Sequence, residues 1–124
     1  HRVDRRQRQM CIRDSHCRDC RKQTGAPVMA FVGFRKDDLT WFGEPKTWRG
    51  AGGMMRSFCE HCGSQIGYSD DRLPDEVYLA LGFMDEPERY PPKSHAFVAR
   101  QLPFLHMTDD LRRFDGVSVE RPQS

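Results

Sequence analysis

Short apolar runs separated by turn residues fill the chain between residues 28 and 100. Each run has four to seven residues and contains aromatic or β-branched side chains, and most are bounded by charged, glycine or proline positions. This spacing is typical of short strands joined by tight connections, so the pattern predicts an all-β domain. The runs occupy residues 28–34, 39–42, 46–49, 54–58, 65–68, 77–81 and 94–99. One short helical turn is predicted around residues 110–114.

The length and composition are those of a single domain with a modest core. The chain has 124 residues, of which 37% are hydrophobic, and a structural metal would compensate for so thin a core. No apolar run approaches the ~20 residues that cross a bilayer, so no membrane partner is expected. Residues 1–15 also lack the apolar segment of a secretory signal, which favours a cytoplasmic location.

Charge is concentrated at the N-terminal end. Residues 1–15 contain five arginines and two aspartates, a net of +3, whereas the whole chain carries +2, so the remainder carries −1. Because a nucleic-acid-binding domain needs a basic stripe on its folded surface, no nucleic-acid partner is expected.

The first 15 residues are predicted to lie outside the folded domain. They show no helical or strand period and little apolar surface, which indicates a disordered basic arm. The string 9–15 also resembles translated linker sequence at the end of a gene fragment, which favours a non-native tail. The predicted organisation is therefore a tail at 1–15, a domain at 16–116 and a flexible tail at 117–124.

Two Cys-x-x-Cys pairs, Cys17 with Cys20 and Cys59 with Cys62, are the strongest chemical signal. A two-residue gap lets both thiolates of a pair turn toward one ion, at a Zn–S distance of about 2.3 Å. Disulfides are disfavoured by the odd count of five cysteines and by the missing secretory signal. A thioredoxin-type motif would need a βαβ context, which the pattern lacks. The predicted cofactor is therefore Zn²⁺, in one site of four thiolates or in two separate sites. Cys11 has no partner at metal spacing.

The residues around these pairs resemble the glutathione-dependent formaldehyde-activating enzyme family, which also includes centromere protein V. The resemblance covers residue 16 to about 116, and the N-terminal side of the family pattern is truncated. The strongest block is Ser-His-Cys-Arg-Asp-Cys-Arg-Lys-Gln-Thr-Gly-Ala-Pro at 15–27. Later blocks are 43–45, Arg56 with 58–64, Gly82 with Asp85 and Pro87, Pro92 with His95, and, more weakly, 109–114.

The resemblance implies a β-tent fold with two zinc sites. In the family, three cysteines hold an exposed zinc near the glutathione site, and they correspond here to Ser15, Cys17 and Cys20. A second, structural zinc is held by an N-terminal Cys-x-Cys and a later pair, and only that later pair, Cys59 and Cys62, is found here. A serine hydroxyl is a poorer zinc ligand than a thiolate.

The implied activity is that of a zinc-dependent carbon–sulfur lyase acting on adducts of glutathione and formaldehyde. The alternative is a non-catalytic, zinc-stabilised binding module. Arg21 and Arg56 are predicted to bind substrate carboxylates through charge-assisted hydrogen bonds, while Thr24 and Gly25 offer a hydroxyl and a backbone N–H. His95 reads as a core histidine, and the resemblance makes it a substrate-site candidate. No catalytic acid or base is assigned.

Overall fold

The chain is mostly β-sheet with one α-helix. The computed structural model describes residues 2–5 and 11–118, and in this part of the chain ten strands and the helix follow one another in order. They are β1 Arg2–Arg5, β2 Cys11–Ser15, α1 Arg18–Thr24, β3 Met29–Arg35, β4 Leu39–Phe42, β5 Lys46–Arg49, β6 Met54–Phe58, β7 Gln65–Asp70, β8 Glu76–Ala80, β9 Ser94–Ala96 and β10 Arg112–Arg113.

Eight strands form one sheet in the order β10-β9-β2-β3-β8-β7-β6-β5, and β1 pairs separately with β4. The neighbours are antiparallel except at one end, where β9 is parallel to both β2 and β10. The mostly β prediction is confirmed, and the strands from β3 to β9 lie close to the predicted runs. The β-tent with its zinc sites stays a prediction.

Two buried clusters lie on opposite faces of this sheet, because successive strand residues point to opposite sides. On one face Val32 and Phe34 pack with Ile12 and Cys59. On the other face Phe31 packs with Cys20, and the rings of Tyr68 and Tyr78 complete this second cluster. The two cysteine pairs are therefore divided between the faces.

The prediction that residues 1–15 lie outside the folded domain is wrong for Arg2–Arg5, which pairs with β4, and for Cys11–Ser15. This segment is β2, an interior strand between β9 and β3, in which Ile12 is 2% exposed and Ser15 is 3% exposed. Its arginine is buried because the Arg13 guanidinium lies 4.7 Å from the Tyr78 ring centroid and donates to the Tyr68 hydroxyl. Residues 1 and 6–10 of the predicted tail lie outside the described residues.

Two other expectations concern the C-terminal part. The helical turn predicted at 110–114 is wrong, because Arg112–Arg113 pairs in parallel with β9. Of the predicted flexible tail, residues 119–124 lie outside the described residues. Within the described chain, no helix is long and apolar enough to cross a membrane.

Candidate thiolate metal centre

Helix α1 places the first cysteine pair. Cys17 precedes the helix in an extended conformation, and its sulfur accepts a hydrogen bond of 3.2 Å from the backbone N–H of Cys20. Gly25 ends the helix in the left-handed region at φ 75°, with its N–H bonded to Arg21 O at 2.7 Å. This short helix was missed in the sequence because its one buried residue is a cysteine. The helix brings the sulfurs of Cys17 and Cys20 to the same side of its first turn.

The first pair is arranged to hold negative charge. A hydrogen bond from Cys20 lowers the pKa of Cys17 to about 6. The same bond, together with burial, raises the pKa of Cys20. The Ser15 hydroxyl lies 3.6 Å from the Cys20 sulfur and 3.4 Å from the Cys17 nitrogen. Arg56 Nη2 approaches the Cys20 sulfur at 4.0 Å. The pair therefore carries a thiolate at neutral pH, with a hydroxyl and a guanidinium beside it.

The second pair lies on the turn between β6 and β7. Cys59 N–H donates to Ser64 O at 2.9 Å, and Gly63 N–H donates to Cys59 O at 2.7 Å. Gly63 takes φ 78°, which a side chain would strain. The Cys62 sulfur is exposed, and its 3.0 Å contact with the Ser64 hydroxyl lowers its pKa, with a further contribution from Cys59. The turn therefore holds Cys59 in the core and leaves the Cys62 sulfur at the surface.

The four cysteines do not form one site. Cys20 and Cys59 belong to clusters on opposite faces of the sheet. In the part of the chain that is described, the ligand group that does converge consists of Asp14, His16 and His95, with atoms within 4.8 Å of one another. The single four-thiolate alternative is therefore excluded by the fold, which keeps the pairs apart.

The donor atoms present at each cysteine pair are of the type that zinc prefers, although neither pair supplies four donors. Cys17 and Cys20 supply sulfur at one point, and Ser15 supplies an oxygen where a third donor would be needed. Cys59 and Cys62 supply two sulfurs at the knuckle. Soft thiolates favour Zn²⁺ over oxygen-seeking cations, so the residues present fit a zinc ion, with an incomplete protein shell at both places.

Arg56 lines a cavity of about 340 Å³ beside the first pair. Arg56 is 8% exposed and lies over the Tyr68 ring at 5.7 Å, which fixes its guanidinium. The rest of the lining is mixed in charge and polarity: Asp19, Lys22, Gln23, Trp48, Gly50 and Met54. Of the predicted substrate residues, Arg56 is the one that the structure places next to the cysteines and in this cavity.

The other predicted substrate residues lie elsewhere around α1. Arg21 and Gly25 line a neighbouring cavity of about 260 Å³, which shares Lys22 with the first. The Thr24 hydroxyl donates to Cys20 O at 2.7 Å and accepts from Ala26 N–H at 3.2 Å, so it is engaged in ending the helix. Their contact with substrate stays a prediction.

His95 lies in a separate buried cluster. It is 4% exposed, with Nδ1 2.6 Å from Asp14 Oδ2 and Nε2 2.9 Å from Asp109 Oδ1. Its predicted substrate contact stays a prediction, and both ring nitrogens are already bonded to carboxylates. Asp14 and Asp109 could not be singled out from the sequence. The alternation of Asp14 in β2 with His16 just beyond its end was the available signal, but β2 was not recognised as a strand.

One comparison with known proteins identifies the family. The family model described as glutathione-dependent formaldehyde-activating enzyme matches residues 2–100. No curated protein matches the chain significantly. A crystal structure of a Rhodobacter sphaeroides protein is similar, with 22% identity and a TM-score of 0.46, over 60% of this chain and 68% of that one. That similarity is too low to establish a shared fold. The match of the family model spans most of the chain, which therefore belongs to the glutathione-dependent formaldehyde-activating enzyme family.

Proposed function

We propose that this chain is a zinc-dependent carbon–sulfur lyase-type enzyme that forms or breaks S-hydroxymethylglutathione. The observation that carries the proposal is the charge pattern of the cavity beside Cys17 and Cys20. Its lining contains two cations, Lys22 and Arg56, and one anion, Asp19. Glutathione carries the complementary set, two carboxylates and one ammonium group.

The cavity also has a suitable size and position. Its volume of about 340 Å³ falls in the range of small-molecule sites, roughly 300–1,000 Å³. Arg56 connects it to the cysteines, since its guanidinium lines the cavity and lies 4.0 Å from the Cys20 sulfur. A glutathione bound to these cations would have its thiol within the region of the first pair.

In this proposal Cys17 and Cys20 hold the zinc, with Ser15 as an oxygen donor. Zinc, when bound, lowers the pKa of a thiol and so favours the thiolate of glutathione. In the forming direction, the glutathione sulfur bonds to the formaldehyde carbon, its proton is released, and the carbonyl oxygen gains a proton. Arg56 binds a carboxylate and offsets the negative charge at the sulfurs. Lys22 and Asp19 orient the remaining charged groups.

The second cysteine pair is proposed as a structural zinc site at the β6–β7 turn. Cys59 anchors it in the core at 6% exposed, whereas Cys62 faces solvent. The β-tent description and a role for Arg21, Thr24, Gly25 and His95 in substrate binding belong to the same proposal. Their support is the family membership and, for Arg21 and Gly25, the adjoining cavity.

The second candidate is a zinc-stabilised binding module without catalysis. Ser15 favours it, because this residue stands where the family pattern has a third cysteine and thus weakens the exposed site. The two candidates differ in turnover. Both predict that glutathione binds, and only the first predicts faster exchange between glutathione, formaldehyde and their adduct.

The test is exchange NMR on equilibrium mixtures of glutathione and formaldehyde with the zinc-loaded chain. Arg56→Gln should raise the substrate concentration for half-maximal exchange about tenfold or more, because a buried charged hydrogen bond contributes about 1.5–3 kcal/mol. Lys22→Gln should raise it by only a few-fold, because exposed ion pairs contribute about 0.2–1 kcal/mol.

Lys93→Gln, an exposed lysine outside the cavity, is the matched control and should behave as wild type. Binding of glutathione without faster exchange would favour the binding module. Identical behaviour of the Arg56 variant, the Lys22 variant and the control would contradict the proposed cavity.

A further inference from the structure

A second group of ligand-type side chains lies on the other side of β2 from the cysteines. Asp14 and His16 alternate with Ser15 and Cys17 along the chain, so they face away from the thiolate pair. His95 lies on the neighbouring strand β9, where it pairs with Asp14. The two carboxylate oxygens of Asp14 contact different rings. Oδ2 lies 2.6 Å from His95 Nδ1, and Oδ1 lies 3.1 Å from His16 Nε2.

His16 is the unusual member of this group. It is 2% exposed, and neither of its ring nitrogens makes a hydrogen bond. Its 3.1 Å approach to Asp14 is not aligned as a hydrogen bond, and Asp14 Oδ1 is likewise buried without one. A buried polar atom left in this state destabilises the fold until it finds a partner. The ring is thus aimed at a carboxylate with its nitrogen available for another partner.

Charge points to a cation as that partner. The carboxylates of Asp14 and Asp109 bracket His95, which places two negative charges around two imidazole rings. The guanidinium of Arg113 approaches this region, but its hydrogen bonds are to the backbone oxygens of Met107 and Asp109. A divalent ion would offset both carboxylates and use the nitrogen of His16.

We propose that Asp14, His16 and His95 bind a divalent transition-metal ion of the zinc type, at a site distinct from both cysteine pairs. Two imidazoles and one carboxylate are a known zinc donor set. Calcium and magnesium prefer shells made only of oxygen, so the two histidines select against them.

The geometry needs only small adjustments to hold such an ion. The three ligand atoms lie within 4.8 Å of one another. In a tetrahedral zinc site with bonds of about 2.0–2.1 Å, ligand atoms are about 3.3 Å apart. The two contacts of Asp14, at 2.6 and 3.1 Å, are already shorter than this and would open slightly. Any longer separation within the group has to shorten by no more than about 1.5 Å.

Asp109 is a positioning residue in this arrangement. Its carboxylate accepts from His95 Nε2, which leaves Nδ1 facing Asp14. Carboxylates that orient a ligating histidine in this way typically contribute 10–100-fold in metal affinity.

The ion would cross-link neighbouring strands at one end of the sheet. It would join β2, β9 and, through Asp109, the segment that leads to β10, which are parallel neighbours at one end of the sheet. The two rings are only 2% and 4% exposed, so the site is closed to substrate. Its effect on the proposed enzyme is to fix β2, the strand that carries Ser15.

The experiment uses the full chain produced with cobalt in place of zinc. Imidazole N–H protons next to bound Co²⁺ give strongly shifted NMR signals that exchange with deuterium, whereas the methylene protons of a cobalt-bound cysteine do not exchange. The wild-type chain should show two such exchangeable signals. His95→Gln should lose them and bind one metal ion fewer per chain, and the exposed His106→Gln should match wild type.

A wild-type spectrum without exchangeable shifted signals would overturn the proposal, and this readout does not depend on any variant folding. Signals that persist in His95→Gln would come from another histidine and would also overturn it. Asp109→Asn should weaken cobalt binding about 10–100-fold, with Asp110→Asn as its control. Equal affinity in these two variants would refute the positioning role of Asp109.

Discussion

Replacing Ser15 by cysteine tests the thiolate centre at its weakest donor. The Ser15 oxygen lies 3.6 Å from the Cys20 sulfur and 3.4 Å from the Cys17 nitrogen. A sulfur at this position would join the two thiols on the same side of α1. The substitution therefore supplies a third thiolate without changing the backbone.

The expected effect has opposite signs with and without metal. Ser15 is 3% exposed, so the larger sulfur overpacks the zinc-free chain at a cost of about 1 kcal/mol. With zinc, a thiolate in place of a hydroxyl should tighten binding at least tenfold, about 1.4 kcal/mol. Because an ion that binds only the folded chain stabilises it, this gain raises the melting temperature. Each kilocalorie corresponds to about 4 °C in a domain of this size.

The assay is thermal unfolding of wild type, Ser15→Cys and Ser15→Ala, each in excess zinc and in excess chelator. Ser15→Cys should melt lower than wild type in chelator and higher in zinc. Ser15→Ala removes the hydroxyl without adding a ligand, so zinc should raise its melting temperature no more than it raises that of wild type. The reasoning fails if Ser15→Cys shows the same zinc-dependent shift as wild type.

Three further predictions follow from the contacts. Gly67→Ala should destabilise the chain by about 3 kcal/mol in urea unfolding, because its Cβ would overlap the carbonyl oxygen of Tyr78. Gly82→Ala should cost little, because a Cβ at that position meets nothing within 4 Å. Equal costs for the two variants would contradict the sheet register. In the zinc-free chain Cys17 should be alkylated with a midpoint near pH 6, because its pKa is lowered to about 6 and the thiolate persists until the pH falls through that value. A midpoint near 9.0, the ordinary pKa of a cysteine thiol, would contradict the hydrogen-bonded pair. The pKa of Asp109 is lowered from the ordinary 3.8 by its bond to the buried histidine. Its contribution to stability is therefore present above the ordinary value and is lost as the pH falls through the lowered pKa. Asp109→Asn should show a shallower acid loss of stability, and identical acid profiles would refute this.

The strands from β3 to β9 could be read from the sequence because each is a short apolar run with a turn at its end. Strand β2 could not, because its alternation is hidden by charge. Arg13 and Asp14 look like solvent-facing residues, and their partners are far away in sequence: Tyr68 for the arginine and His95 for the aspartate. A charged residue is buried only when such a partner exists, and the sequence does not reveal the pairing.

The candidate site was predictable in its chemistry and not in its arrangement. The Cys-x-x-Cys spacing predicts that two sulfurs meet, since the turn that joins them is local. Whether the two cysteine pairs share one site depends on the sheet, because its two faces separate Cys20 from Cys59. Arg56 reaches Cys20 across 36 residues of sequence, a contact that only the order of the strands creates.

The most direct test of the account is the coordination of zinc in the full chain, measured by X-ray absorption. The account predicts sulfur neighbours at about 2.3 Å, and a loss of part of this sulfur shell when Cys17 and Cys20 are both replaced by serine. An unchanged sulfur shell in that double variant, or zinc surrounded only by nitrogen and oxygen in the wild-type chain, would contradict the claim that Cys17 and Cys20 hold the metal.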